Sequence, residues 1–186
     1  LRPLFYNVRG DQQEMQVFLR RHGFKQDSLG YEMVCSGVRD RLSGFDDLAL
    51  RSYQADYFEQ YLQLLDCAFN PLIERSGGQT DAFSRQRTAL QDRLEEKARK
   101  ESFVSLWQGD TLIGIYERRE DLIEVLAIAP AYQGKGYGTF LLQAATEQII
   151  QRCGYSQAYL QVTVSNQSAR RLYQRLGFKI SGYYAE

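Results

Sequence analysis

Histidine, cysteine and proline are scarce in this 186-residue chain, which has one, three and three of them. His22 has no second imidazole with which to share a zinc ion, and Cys35, Cys67 and Cys153 lack the CxxC spacing of metal or redox sites. We therefore expect no metal site. We interpret the odd number of cysteines as buried thiols of a protein in a reducing cytosol.

Net charge and long apolar runs are also absent. Lys plus Arg and Asp plus Glu both number 23, so no overall charge favours nucleic acid or an anionic membrane as a partner. The longest apolar stretch, Leu122 to Pro130, is too short to span a bilayer, and the N-terminus lacks the apolar core of a signal peptide. We expect a soluble, cytoplasmic protein, and because it begins with Leu1 we treat it as a potential fragment.

What the chain does contain is an order of helical and extended patterns that suits one domain of about 100–200 residues. The first half predicts a strand at 48–51, a helix from Asp56 that ends at Asn70-Pro71, and a charged helix capped by Asp81 that runs to about Lys100. The second half predicts a hairpin of 103–107 and 111–116, a buried strand at 122–129, a helix at 138–153, a strand at 158–164, a helix capped by Ser165 or Asn166, and a strand at 178–184.

A glycine-rich loop, residues 133–138 (QGKGYG), lies between the buried strand and the next helix. Backbone N–H groups are unpaired at a helix N-terminus, the helix dipole is positive there, and glycines let an anion approach the backbone. The loop therefore suits a pyrophosphate, although a tight turn would use the same glycines. It is neither a GxxxxGK[ST] loop nor a GxGxxG fingerprint, because Thr139 stands where the latter needs glycine.

Two stretches of the chain resemble motifs of the GNAT acetyltransferase superfamily. Residues 125–139, followed by Leu141-Leu142, look like its acetyl-CoA-binding motif, Q/R-x-x-G-x-G/A after a strand that ends near proline. Residues 166–178 resemble its N-x-x-A-x-x-L-Y-x-x-x-G-F signature. The resemblance covers about residues 103–184. It implies an α/β fold with a mixed, mostly antiparallel central sheet flanked by helices on both faces.

The resemblance also implies acetyl-CoA as cosubstrate, without a metal, and assigns residues to it. The strand backbone at Leu126, Ala127 and Ile128 would pair with the pantetheine arm like an added strand. Asn166 would cap the last helix and could touch the cofactor as well, capping being the ordinary role of an asparagine there. The pyrophosphate would be held by the loop amides, from Gln133 through Gly134, Lys135, Gly136, Tyr137, Gly138 and Thr139.

Tyr173 is the residue that the resemblance assigns as general acid. The departing coenzyme A thiolate needs a proton, and a phenol is a suitable donor. Tyr173 also lies on the apolar stripe of its helix, where a tyrosine is usually part of the core.

Glu124 is the candidate general base, because it interrupts the apolar strand. By the period of two it should share a face with Leu126 and Ile128. A carboxylate in a cleft, with a raised pKa, could accept the proton of a substrate ammonium, directly or through water. Glu117 and Glu120 are nearby alternatives, and a partly exposed charge at a strand end is the structural alternative.

These residues predict an N-acetyltransferase that moves acetyl from acetyl-CoA to the primary amine of a small molecule or protein, by direct attack in a ternary complex. A catalytically silent acyl-CoA-binding or sensing module is the alternative. The presence of both Glu124 and Tyr173 argues against that alternative. Nucleic acid and membrane are not expected partners, and a homodimer is left open.

The N-terminal residues 1–36 form a segment of their own, ahead of an acetyltransferase domain at 45–186. Residues 15–25 resemble residues 169–179 in helical stripe, glycine stop and following Phe, as two unrelated amphipathic helices also could. We interpret 1–36 as the tail of a degenerate GNAT repeat. The family usually closes with one more strand after the one that begins at Gly177-Phe178. We therefore expect residues 1–36, which include the strand-like run 31–35, to supply strand pairing at that edge, packed against the catalytic domain or a second subunit.

Overall fold

The computed structural model of the protein describes residues 8–9, 14, 17–18, 21–22, 29–38 and 44–185. Most of the N-terminal stretch that resembles residues 169–179, including Met15, Leu19 and Gly23, lies outside the described residues. The chain divides into two compact units. We call Gly37–Ala158 the large unit, and Leu1–Ser36 with Tyr159–Glu186 the small unit.

The strands and helices follow one another in nearly the predicted order. The strands are β1 (Val8–Arg9), β2 (Leu29–Cys35), β3 (Leu48–Arg51), β4 (Phe103–Gln108), β5 (Thr111–Arg119), β6 (Leu122–Ile128), β7 (Ala158–Thr163) and β8 (Lys179–Ala185). The α-helices are α1 (Phe58–Arg75), α2 (Ala82–Arg85), α3 (Arg87–Arg99), α4 (Tyr137–Glu147) and α5 (Gln167–Arg175). A π-helical turn, Gln148–Arg152, continues α4.

In the large unit, β3, β4, β5 and β6 pair in that order, each antiparallel to its neighbour. The predicted hairpin is confirmed, with Gly109 at φ 57° in the turn between β4 and β5. Gly114 holds β5 close to β6, because a Cβ at this position would lie 2.6 Å from the carbonyl oxygen of Ala127. The strand that leads into the glycine-rich loop is therefore fixed by its neighbour.

Helices cover both faces of these four strands. On one face α1 and α3 pack on the sheet in a core that includes Leu65, Leu94, Trp107 and Ile115. On the other face Leu141 of α4 approaches Gly114, because its Cδ2 lies 3.3 Å from where a Cβ would stand. Gly114 and Ile115 are consecutive on β5, so they face opposite sides of the sheet: Gly114 faces α4, and Ile115 faces the core formed with α1 and α3.

The prediction that Asn70-Pro71 ends the first helix is wrong, because α1 continues to Arg75 with Pro71 inside it. An interior proline removes one helical hydrogen bond, at a cost of roughly 3 kcal/mol. Burial of the apolar face of α1 offsets that cost. The Asn70 side chain also exchanges two hydrogen bonds with Asp81, at 2.8 and 2.9 Å, which ties this last part of α1 to the following segment.

The single charged helix predicted after Asp81 is divided into α2 and α3 at Gln86. Asp81 stands at the N-cap position of α2, but it has φ 57° and its side chain makes no capping bond. The cap comes from the buried Asp66 of α1, whose carboxylate accepts hydrogen bonds from the N–H groups of Phe83 (3.0 Å) and Ser84 (3.1 Å). The prediction of Asp81 as the cap is therefore wrong, because a neighbouring helix supplies the acceptor.

In the small unit the strand order is β1-β8-β2-β7. The run 31–35 does form a strand, and β2 pairs antiparallel with β8 from Leu29 opposite Ala185 to Val34 opposite Lys179. The expected pairing at this edge is thus observed. The Sγ of Cys35 also donates to the carbonyl oxygen of Leu176, just after α5, at 3.8 Å. The origin of residues 1–36 in a degenerate repeat stays a prediction.

The three cysteines are not all buried. Cys35 is buried, whereas Cys67 on α1 and Cys153 after the π-helical turn are exposed. The prediction of three buried thiols is wrong for these two, because Cys67 lies on the solvent side of α1 and Cys153 lies in the exposed segment after the π-helical turn. Within the described residues, no helix combines the length and the apolarity that a bilayer span requires.

Candidate active site

The glycine-rich loop carries the chain from β6 through a 3-10 turn into α4. Gly134 and Gly136 have φ angles of 76° and 93°, a left-handed conformation that glycine adopts without strain. The first hydrogen bond of α4 runs from the Phe140 N–H to the Gly136 carbonyl oxygen (3.0 Å), and no described side chain caps the helix. The amides of residues 137–139 therefore point out of an uncapped helix start, as an anion site requires.

The side chains of the loop have separate roles. The Gln133 Nε2 donates to the Ile128 carbonyl oxygen at 3.0 Å, so this side chain braces the loop against the end of β6. Lys135 is exposed, and its Nζ lies 5.6 Å from the centre of the Tyr132 ring. The loop is thus held from within, and the positive charge of Lys135 is left at its surface.

The strand residues assigned to the pantetheine arm lie in the part of β6 that precedes this loop. Leu126, Ala127 and Ile128 stand opposite Tyr116, Ile115 and Gly114 of β5. Ala127 and Ile128 are buried and Leu126 is half-buried. Their side chains serve the core, so any role toward a cofactor belongs to their backbone.

A β-bulge changes the orientation of Glu124. Glu117 and Arg118 are consecutive on β5, yet they stand opposite Val125 and Ile123, so Glu124 is the extra residue of β6. Its carboxylate forms an ion pair with Lys97 of α3, whereas Ile128 packs on the α4 side beside Gly114. The prediction that Glu124 shares a face with Leu126 and Ile128 is therefore wrong, because the bulge shifts the period of two.

Glu124 is held by two cations. Besides Lys97, the Arg119 Nε donates to its carboxylate at 2.7 Å. Partial burial acts to raise the pKa of Glu124, but the hydrogen bonds and charges of Lys97 and Arg119 outweigh burial and lower it below the usual value. Glu124 is thus an ionised carboxylate at neutral pH and does not have the raised pKa that the sequence suggested.

Glu117 has the environment that was expected for Glu124. Its side chain is 1% exposed, and its Oε1 accepts a hydrogen bond from the Arg93 Nη2 at 3.2 Å. Burial raises the pKa of Glu117 despite the opposing charges of Arg93 and Lys97. Glu120 differs from both, since it lies exposed in the turn between β5 and β6.

Arg93 and Lys97 are the site residues that the sequence reasoning missed. They lie four residues apart on α3, so they share one face of that helix, and each contacts one of the two carboxylates. The spacing of the two basic residues was visible in the sequence. Which strand they face was not, because that depends on how α3 packs on the sheet.

The remaining predicted residues belong to the small unit. Asn166 caps α5, since its Oδ1 accepts a hydrogen bond from the Ala169 N–H at 3.2 Å, which confirms its capping role. Tyr173 lies on the same helix, is 8% exposed and packs against Phe178 with ring centroids 6.2 Å apart. Burial raises the pKa of Tyr173 to about 12. Its phenol therefore keeps its proton at neutral pH, and no side chain of the described residues hydrogen-bonds it.

Metal binding finds no support in the described part of the chain, where no group of three or more His, Cys, Asp or Glu side chains is placed to hold an ion.

Three comparisons with known proteins bear on the site. A mycothiol acetyltransferase of Corynebacterium efficiens is 26% identical over 180 residues, 94% of this chain and 52% of that protein. An N-alpha-acetyltransferase of Sulfurisphaera tokodaii is 28% identical over 152 residues, 79% of this chain and 80% of that protein. The solved PaiA N-acetyltransferase of Thermoplasma acidophilum, in complex with coenzyme A, superposes with a TM-score of 0.59 at 19% identity, over 74% of this chain and 96% of that one.

The structural likeness confirms the predicted fold class, a mixed, mostly antiparallel sheet with flanking helices. The chain spans about half the length of the mycothiol acetyltransferase that it matches. The sequence profile of the acetyltransferase (GNAT) family matches residues 58–178, which include the loop, both carboxylates, Asn166 and Tyr173. The chain belongs to the acetyltransferase (GNAT) family.

Proposed function

We propose that this chain is the catalytic part of an N-acetyltransferase that moves acetyl from acetyl-CoA to a primary amine. The observation that carries the proposal is the uncapped start of α4, where Gly134 and Gly136 in left-handed conformation direct the amides of residues 137–139 outward. Family membership and relatives named as acetyltransferases support the same activity.

In the proposed complex the loop amides and the helix dipole hold the pyrophosphate, and Lys135 adds positive charge. The backbone of Leu126–Ile128 pairs with the pantetheine arm, and its N–H groups polarise the thioester carbonyl. Gln133 acts indirectly, because its side chain is already bonded to the Ile128 carbonyl oxygen. Asn166 keeps its capping role, and a contact with the cofactor is an additional proposal.

The reaction proposed is direct transfer in a ternary complex. The neutral amine nitrogen attacks the thioester carbonyl carbon, the new C–N bond forms and the C–S bond breaks, so no covalent enzyme intermediate arises. One proton must leave the nitrogen and one must reach the coenzyme A sulfur.

Glu124 is the proposed acceptor of the nitrogen's proton, through a water molecule. Its carboxylate is ionised and its side chain is 27% exposed, whereas the side chain of Glu117 is 1% exposed and out of direct reach of a ligand. Against Glu124 stands its low pKa, which makes it a weak base, while the raised pKa of Glu117 favours Glu117 as the group that ultimately holds the proton.

Tyr173 is the proposed donor to the coenzyme A sulfur. With a pKa of about 12 the phenol is neutral whenever the thiolate is expelled, which is the protonation state that a general acid needs. Burial alone raises this pKa, so the hydroxyl is not committed to a charged neighbour.

Coenzyme A titration of a Gly136→Val variant tests the loop. A β-branched side chain at φ 93° would obstruct the anion site, so we expect binding to be lost. Gly154→Val is the matched control, because Gly154 has φ 77° at the far end of the same helical segment and takes similar strain away from the loop. Gly138→Ala should keep binding, because the family pattern accepts alanine there. Unchanged affinity in folded Gly136→Val would reduce the loop to a turn.

A panel of amine acceptors, incubated with acetyl-CoA and followed by thiol release, tests the activity itself. Small amines, polyamines, amino acids and peptide N-termini should all be included. Coenzyme A binding combined with acetylation of at least one acceptor supports the enzyme. Tight binding without any turnover would instead favour the silent acyl-CoA-binding module.

A further inference from the structure

The start of α4 lacks the local contacts that usually fix a helix terminus. No described side chain caps it, and its N-cap residue is Gly136. A hydrophobic staple would need an apolar residue just before the cap, packed on the fourth helical residue. Here Lys135 stands before the cap, although Phe140 is apolar at the fourth position.

The missing staple is supplied by Phe45, from the segment just before β3. Its ring centroid lies 5.5 Å from that of Phe140 and 5.4 Å from that of Tyr137, the first residue of α4. Both distances fall within the range of favourable aromatic pairs. One side chain from a distant segment therefore contacts both ends of the first helical turn.

Two further contacts hold Tyr137. On the loop side, the ring of Tyr132 packs edge-on against it at 5.7 Å, and Lys135 lies over that Tyr132 ring. On the sheet side, the Tyr137 hydroxyl contacts the Gln108 Oε1 at 3.5 Å, and Gln108 in turn donates to Asp47 at 2.5 Å. We name Phe45, Tyr132, Tyr137 and Phe140 the aromatic cluster.

The segment that carries Phe45 is itself anchored. The Leu48 N–H donates to the Phe45 carbonyl oxygen at 3.2 Å, which forms a turn directly ahead of β3. Asp47 lies in the same turn and holds Gln108 of β4. The position of the Phe45 ring is therefore defined by the sheet and not by the loop that it contacts.

We propose that Phe45 is a positioning residue that preorganises the pyrophosphate loop, so that acetyl-CoA affinity depends on a side chain that need not touch the cofactor. This inference rests on the proposed function, because it assumes that the loop binds coenzyme A. A loop that populates the binding conformation only part of the time has an apparent Kd that is higher by the inverse of that fraction. Phe45 keeps the fraction of molecules in the binding conformation high, because its ring packs the first turn of α4 against a segment that is fixed to the sheet.

The test is titration of Phe45→Ala with coenzyme A by calorimetry, well below the unfolding temperature. We expect Kd to rise roughly ten-fold, as loss of preorganisation predicts. In steady-state assays the KM for acetyl-CoA should rise while kcat at saturating acetyl-CoA stays within about two-fold, because chemistry after binding is untouched.

Phe69→Ala is the matched control. Phe69 is also a half-buried phenylalanine of the large unit and packs on one other ring, that of Phe83, at 5.6 Å. Its removal should lower stability without changing Kd for coenzyme A. Phe45→Tyr keeps the ring, so it should bind coenzyme A like the wild type. If Phe45→Ala does not fold, Phe45→Leu, which keeps bulk without the ring, takes its place in the titration.

Wild-type Kd in folded Phe45→Ala or Phe45→Leu would overturn the inference, and so would an equal loss of affinity in Phe69→Ala. These outcomes differ from a failure of the proposed function. In that case the wild-type chain would not bind coenzyme A, or Gly136→Val would bind it as well as the wild type does.

Discussion

Two glutamates on neighbouring strands have opposite electrostatic surroundings. Glu124 is extruded by the bulge and held between Lys97 and Arg119, which lowers its pKa, whereas burial raises the pKa of Glu117 beside Arg93. In the proposed reaction, the proton of the substrate ammonium would go to the ionised and more exposed Glu124 or to the buried and more basic Glu117. The dependence of kcat/KM on pH can therefore distinguish a role of Glu124 in proton transfer from one of Glu117.

Glu124→Gln should lower kcat/KM chiefly on the acid side of the pH–rate profile. At low pH most of the substrate amine is protonated, so the reaction depends most on a base that removes its proton. Because its pKa is lowered, Glu124 itself stays ionised across that range and adds no acid limb of its own. Glu120→Gln, in the exposed turn, is the control and should leave the profile unchanged. If Glu124→Gln shows the wild-type profile at every pH, Glu124 has no part in proton transfer.

If Glu117 is the base, the wild type should show a different signature. Its acid limb would lie above the usual pKa range of a glutamate, because the pKa of Glu117 is raised, and Glu117→Gln would remove that limb. A limb below that range would exclude Glu117.

Tyr173→Phe should lower kcat by about ten- to a thousand-fold with little change in coenzyme A affinity, as expected for loss of one general acid. Stopped-flow or steady-state measurement with a good acceptor would show it. Tyr61→Phe is the control, because Tyr61 is also a buried tyrosine but lies in the core of the large unit. Full activity of Tyr173→Phe would return Tyr173 to a packing role.

Among the elements, two turns of the large unit have strained backbone, one just before β4 and one between β5 and β6. Glu101, before β4, and Glu120, between β5 and β6, are left-handed, with φ angles of 49° and 56°. Both carbonyl oxygens accept hydrogen bonds from the guanidinium of Arg118, at 3.4 and 3.1 Å, and Gln148 of the π-helical turn accepts a third at 3.3 Å. The buried Arg118 thus joins two strained turns to the end of the α4 segment.

Glu120→Gly should raise the free energy of unfolding by about 1 kcal/mol, because a left-handed residue with a Cβ costs roughly 1–2 kcal/mol and glycine avoids that cost. Urea denaturation would measure the gain. Glu120→Ala removes the same carboxylate but keeps the Cβ, so it should show no such gain. Equal stability of the glycine and alanine variants would mean that the turn is not strained.

At the scale of the whole molecule, the small unit depends on a strand from the first part of the chain. β2 lies between β8 and β7, and its Met33 is 0% exposed. Arg170 of α5 donates to the Tyr31 hydroxyl at 3.2 Å and lies over that ring. The helix that carries Tyr173 is therefore packed on residues contributed by the N-terminal segment.

Met33→Ala should destabilise the protein by about 2–5 kcal/mol, the usual cost of truncating a large buried side chain. Ile180→Ala is the control, because Ile180 stands opposite Met33 in the β2–β8 register but is 42% exposed. Chemical denaturation of both variants would compare them, and deletion of residues 1–36 should cost solubility or still more stability. A truncated protein of unchanged stability and activity would make the segment a dispensable linker.

Features that depend on neighbours in the chain could be predicted from the sequence. The β4–β5 hairpin, the glycine-shaped entry to α4 and the Asn166 cap were all predicted, since a turn, a left-handed glycine and an N-cap are each decided within a few residues. The same locality explains why the glycine-rich loop is recognisable in the amino-acid sequence alone.

Only the tertiary structure decided the features that join distant segments. The bulge that turns Glu124 toward Lys97 arises from the pairing of β5 with β6, and Asp66 replaces Asp81 as a cap because α1 lies beside α2. The Phe45 staple likewise brings together residues far apart in the chain. Such contacts depend on long-range packing, which no local period encodes, so the sequence by itself determined the candidate site residues, and only the fold determined their protonation and orientation.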